Sequence, residues 1–260
     1  KTGTIVARIF LLALWIAAGA CLGGCARKPH AVMELHVPDA RGHALALFEI
    51  DADKGAVFID SLYPKADGKV SLRLPVQEPH IFAILTPTSS KPLTLLPLAE
   101  ESFVLHLDYD ALVSRARMEE NAPSPVNRAS IAYQQQVART ERRIDSIENH
   151  WMEERYVCAN VDSLHKACVS AIEDLTAGLR QEAERLCLRY THTLLPVFVI
   201  NRTAGGKTLF DLENRQDLDF LGKCAQEMNR NLPGNSHVER LLFHIARAGN
   251  HLERKELLNE

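Results

Sequence analysis

The chain has 260 residues, 46% hydrophobic and 24% charged, with 30 lysines and arginines against 33 aspartates and glutamates, for a formal net charge of −3. This is the composition of an ordinary globular protein with a real core, long enough for one large or two small domains. The basic residues are scattered rather than clustered, so the electrostatic footprint of a nucleic-acid binder is missing.

The N-terminus reads as an export signal. Lys1 and Arg8 supply positive charge, and Ile9–Leu22 is almost wholly apolar. That stretch is short for a membrane span, which needs roughly 20 residues, and polar residues begin at Arg27. Leu22-Gly23-Gly24-Cys25 resembles the lipobox of bacterial lipoproteins. The resemblance implies a signal peptide over 1–24, cleavage before Cys25, and a diacylglycerol on the Cys25 thiol, with a palmitate-type acyl chain among its lipids. Two or three acyl chains hold a protein firmly where one binds marginally. Residues 25–30 then form a tether, and Ala26, in place of an acidic residue, favours the outer membrane. No later apolar stretch is long enough to span a membrane. The remaining chain carries 28 basic and 33 acidic residues, a net charge of −5.

Residues 31–110 predict a β domain. Ala31–His36, His43–Ile50, Ala56–Ser61, Lys69–Pro75, His80–Thr86, Leu93–Leu98 and Ser102–Tyr109 are short β-compatible runs. Turn signals separate them, such as Asp51-Ala52-Asp53-Lys54-Gly55 and Asp67-Gly68. Val70, Leu72 and Leu74 alternate with Ser71 and Arg73. Period two, with turns every 8 to 12 residues, indicates an antiparallel sandwich or open barrel.

Over 122–260 the period becomes helical. Ser124-Pro125 offers an N-cap with proline at the first helical position, and Ile131, Val137, Ile144, Ile147 and Trp151 form a stripe. A second helix carries Val161, Leu164, Cys168, Ile172, Leu175, Leu179, Leu186 and Tyr190. Leu194–Ile200 is an apolar run, either a buried helix turn or a strand. Arg215–Arg230 and His237–Leu258 complete the set, the last preceded by a Pro233-Gly234 turn and a Ser236-to-Glu239 capping box. Strands followed by helices predict an α+β arrangement or two domains.

Four motifs resemble the N-terminal region of TlpA/ResA-like envelope lipoproteins, in which a β domain (domain of unknown function 4369) and a helical segment precede a thioredoxin-like domain. They are Ile59-Asp60-Ser61-Leu62, Asp67-Gly68-Lys69-Val70-Ser71-Leu72, Ala122–Arg128, and Leu232-Pro233-Gly234-Asn235-Ser236-His237-Val238. Glu100-Glu101 departs from the family, which usually has a glycine-containing turn there. The resemblance implies an envelope location and this architecture. It does not bring redox activity, because no Cys-x-x-Cys occurs in these 260 residues.

Cys158, Cys168, Cys187 and Cys224 remain beyond the lipobox. In an oxidising envelope they are candidates for disulfides. Cys168 and Cys187 lie on one predicted helix about 28 Å apart and cannot join each other. Cys158–Cys168 with Cys187–Cys224 is the preferred pairing, and four buried thiols are the alternative. Asn201–Thr208 ends like a phosphate-binding loop, but Asn201 replaces its first glycine and Leu209–Asn214 is a poor helix start, so it reads as a Gly-rich turn. His237, His244 and His251 recur every seven residues, about 10 Å apart, too far to share a metal, and read as a solvent- or partner-facing stripe. Cys158, His165 and Cys168 sketch only half a zinc site. Glu119-Glu120 and Glu153-Glu154 read as solvated faces.

No catalytic motif, cofactor site or nucleotide site emerges. The sequence therefore leads to a lipid-anchored, non-catalytic interaction or positioning module, with the membrane and other envelope proteins as its partners. An accessory or truncated thiol–disulfide oxidoreductase is the alternative. A periplasmic ligand binder is a third reading, and it requires an apolar pocket between the β and α halves.

Overall fold

The computed structural model describes residues 29–259 apart from Arg41 and Ser90. The expected signal peptide and cleavage site, Cys25 and most of the expected tether lie outside the described residues. The fold is α+β, a strand-built N-terminal half followed by a helical one.

Two four-stranded sheets face each other. The first has the order β4 (Lys69–Pro75), β1 (His30–His36), β7 (Ser102–His106) and β8 (Arg117–Met118). The second has the order β3 (Gly55–Leu62), β2 (Leu45–Asp51), β5 (Ile81–Leu85) and β6 (Leu93–Leu95). Alternation decides which side chains enter between them: Ala31, Met33 and Leu35 from β1 and Val70, Leu72 and Leu74 from β4 meet Leu45, Leu47, Phe82, Ile84, Leu93 and Leu95 of the other sheet. All pairings are antiparallel except β1 with β7, where Val32 to His36 run parallel to Ser102 to His106. A hydropathy pattern carries no strand direction, so this pair was not legible in it. The Asp67-Gly68 turn requires glycine, because Gly68 has φ 76° and a Cβ there would stand 2.6 Å from Pro38 Cα. Glu100 is the one described non-glycine residue at positive φ, 63°, and its N–H donates to His30 O at 3.0 Å where the chain enters β7.

The helices are α1 (Leu112–Arg115), α2 (Pro125–Glu154), α3 (Val161–Arg189), α4 (Leu195–Ile200), α5 (Arg215–Asn231) and α6 (Ser236–Asn259). The apolar run after Leu194 is a helix, with all six residues of α4 buried. Ser124 does precede α2, but its hydroxyl caps no backbone N–H; it donates to Glu101 Oε2 at 2.9 Å and accepts from Asn127 Nδ2 at 2.9 Å. At α6 the cap is Asn235 rather than the anticipated Ser236: Asn235 Oδ1 accepts from His237 N–H at 3.2 Å, and its Nδ2 donates to Pro79 O at 3.2 Å.

The two halves are not independent in packing. The helices cover the outer face of the second sheet, so Ile81 and Leu96 belong to the helical core while Ile131 of α2 enters the sandwich core. This explains the burial of β5 and β6 on both faces, against strict alternation in β4.

Candidate ligand-binding site

A cavity of about 640 Å³ lies between the outer face of the second sheet and the helices. Ile50 at the end of β2 and Ile81 and Ala83 of β5 form its floor. Val197, Phe198 and Ile200 of α4 and Leu241 and Ile245 of α6 form its walls. Strand period two sends Ile81 and Ala83 outward while Phe82 and Ile84 fill the sandwich. One strand therefore serves both a core and a cavity.

A polar network fixes the wall at Phe210. Asp217, at the N-terminus of α5, is buried and accepts two bonds from the Arg180 guanidinium, the Nη1 to Oδ2 bond at 2.9 Å. The same Oδ2 accepts from Asp211 N–H at 2.7 Å. Burial would raise the Asp217 pKa, but Arg180 and the Asp211 N–H outweigh it and hold the carboxyl below its ordinary value. Arg180 also covers the Phe210 ring at 5.2 Å, and Phe210 stacks on Phe220 with centroids 5.6 Å apart.

Charged groups on the cavity fall into two kinds. Arg240 is already paired, its Nη1 2.7 Å from Asp53 Oδ1. Asp51 turns its Oδ1 to the N–H groups of Asp53 and Lys54, at 2.9 and 2.8 Å. His237 lies beside the Ile50 backbone and Asp51, yet burial dominates and lowers its pKa, which favours the neutral ring. Arg202 differs from all three. Its guanidinium lies 4.1 Å from the centre of the Phe198 ring, its Nε is buried without a hydrogen-bond partner, and among the described residues it makes no ion pair. Burial lowers its pKa, partly offset by Tyr133 and Glu141. The Tyr133 hydroxyl is also buried without a partner.

The residues singled out in the sequence are dispersed. His237 is half-buried and lines the cavity, a departure from the expected solvent- or partner-facing stripe, because a sheet far away in sequence packs against it, while His244 lies exposed at the cavity rim. His251 is exposed. Asn201–Thr208 is a small hairpin of β9 (Thr203–Ala204) and β10 (Lys207–Thr208), turned by Gly205 and Gly206 at φ 56° and 73°. The four cysteines are unbonded. Cys187 on α3 and Cys224 on α5 are buried neighbours, with Cys224 Sγ 3.6 Å from Cys187 O. The Cys224 thiol and burial push the Cys187 pKa up, which suppresses its thiolate. Cys158 is wound onto the end of α2 through a 2.8 Å bond to Glu154 O, and Cys168 is buried two turns into α3. Among the described residues no group of three or more His, Cys, Asp or Glu is placed to hold a metal, and no helix is long and apolar enough to cross a membrane.

Arg202 escaped the sequence reading. Its signal was slight: a lone cation two residues beyond an apolar run that packs completely. Neither a protein-family model nor a curated protein sequence matches the chain.

Proposed function

We propose that this protein is a non-catalytic binding module of the bacterial cell envelope, held at the membrane by lipid on Cys25, which takes a small apolar molecule into the cavity between its sheet and its helices. One observation carries the reading: a cavity of about 640 Å³ with an apolar floor and walls lies where the two halves meet. Ligand sites of small molecules fall in this size range, roughly 300–1,000 Å³, and are lined mainly by apolar side chains with a few polar groups. The anchor rests on the Leu22-Gly23-Gly24-Cys25 motif and places the site beside a source of apolar molecules.

Two measurements test the proposal. Metabolic labelling with a fatty-acid analogue should mark the parent and not a Cys25→Ser variant; equal labelling removes the anchor. The full-length Cys25→Ser chain, with no acyl group of its own to compete, should bind the fluorescent probe phenylnaphthylamine saturably. Ala83→Phe puts a ring into the cavity from its floor and should weaken that binding about tenfold, the effect of losing a few buried methylenes. Absence of saturable binding, or undiminished binding by a folded Ala83→Phe protein, overturns the binding role.

A further inference from the structure

A buried charged group without a partner is costly, and native structures rarely keep one without a use. Arg202 is half-buried with its Nε wholly buried and without a hydrogen-bond partner among the described residues, and it lines a cavity whose other charged side chains are engaged. Arg240 has Asp53. The one carboxylate on the wall, Asp51, is engaged by its own turn. Among the described residues the cavity thus has an apolar body and one unmet cationic contact, at Arg202. A planar guanidinium, held on one face by Phe198, presents its edge N–H groups in the fork that carboxylate and phosphate oxygens match.

We infer that the occupant is a single-chain amphiphile with an anionic head, a carboxylate or a phosphate, whose chain lies on Ile81 and Ala83 and whose head pairs with Arg202. This rests on the binding role proposed above and adds the chemistry of the ligand. Pairing through the Nη edge supplies the counter-charge that the Arg202 guanidinium lacks among the described residues, while the chain packs on the apolar floor of the second sheet. A neutral alcohol of the same length offers Arg202 a weaker acceptor and no counter-charge, and a cationic amphiphile opposes the pairing.

The test titrates the full-length Cys25→Ser chain with dodecanoate, dodecyl phosphate, dodecanol and dodecyltrimethylammonium, all below their micelle concentrations. The two anions should bind about tenfold more tightly than dodecanol, as expected for a charge-assisted hydrogen bond, and the cation more weakly than dodecanol. The tighter of the two anions identifies the head group. Arg202→Gln should bring both anions down to the affinity that the same variant shows for dodecanol, while Arg202→Lys should keep most of the preference for anions. Should the Gln variant melt below the parent, added salt provides the same test on the parent chain, since it should weaken the anions and not dodecanol. Equal affinity of the parent for dodecanol and the anions overturns the inference, as does an anion preference that survives in Arg202→Gln. In both cases saturable dodecanol binding leaves the cavity's role intact. Failure of all four to bind removes that role as well.

Discussion

Gln134 meets Thr94 with both ends of its carboxamide: Oε1 accepts from the Thr94 N–H at 2.8 Å, and Nε2 donates to the Thr94 carbonyl at 2.8 Å. Two turns earlier on α2, Asn127 treats Leu96 in the same way, at 2.6 and 3.2 Å. β6 is an edge strand, with β5 on one side only. Its outward backbone groups are buried under α2 and would otherwise be unsatisfied. Two side chains of a helix complete this four-stranded sheet as a fifth strand would, and they lock the helical half onto the β half beside the cavity.

Gln134→Leu keeps the volume and removes both bonds. The buried Thr94 N–H is then left unpaired, at about 1–3 kcal/mol, and the Thr94 carbonyl keeps only the longer 3.4 Å bond from Ser130 Oγ, a loss of about 1 kcal/mol more. Urea denaturation should show a loss of about 2–4 kcal/mol with an unchanged m-value. A loss below about 0.5 kcal/mol would mean that water replaces the carboxamide and that the helix is not bonded to this edge.

Asp217→Asn breaks the ion pair of a buried carboxylate and leaves the partly exposed Arg180 with Glu184 alone, at 3.0 Å, which costs about 1–3 kcal/mol. It also frees the Asp211 segment, so phenylnaphthylamine binding should weaken. Because the folded-state pKa of Asp217 is lowered, its contribution to stability is fully present above the unfolded value, about 3.9, and is lost as pH falls through the lower folded value. The gap between parent and variant should therefore be constant near pH 7 and shrink below about pH 4. A gap that stays constant down to pH 2 would contradict the assignment.

Tyr133→Phe removes a buried hydroxyl with no partner and leaves the ring in place. Deleting an unsatisfied polar group should raise stability by about 1 kcal/mol. A lower melting temperature would mean that the hydroxyl is bonded in solution, to water or to a ligand.

In an oxidising envelope the neighbouring thiols of Cys187 and Cys224 should form a disulfide, since two of the chain's helices already bring them together. Intact mass with and without reductant should differ by two hydrogens, and peptide mapping should place the bond between these residues. Reduction should then lower stability by about 2–4 kcal/mol. Four free thiols in envelope-derived protein would rule the bond out.

The elements were largely visible in the chain. Lys69–Pro75 was bounded correctly because Val70, Leu72 and Leu74 alternate with polar residues, and the helices from Pro125, Val161 and Arg215 start where a proline and two asparagines mark the entry. Hydropathy had less to say about the buried polar seam. Asn127, Ser130 and Gln134 interrupt the apolar stripe of α2, and only their partners, Thr94 on β6 and Leu96 just after it, about 30 to 40 residues away, turn that interruption into a contact.

By itself, then, the sequence determined what is local: strand period, helix period, turn chemistry, and hence the α+β order. These follow from each residue's own backbone preference and from spacing along one element. Only the tertiary structure decided the parallel pairing of β1 with β7, the shared surface of sheet and helices, and the position of Arg202 beside an apolar cavity. Those depend on which distant segments exclude water from one another, and no periodicity within a single segment encodes that.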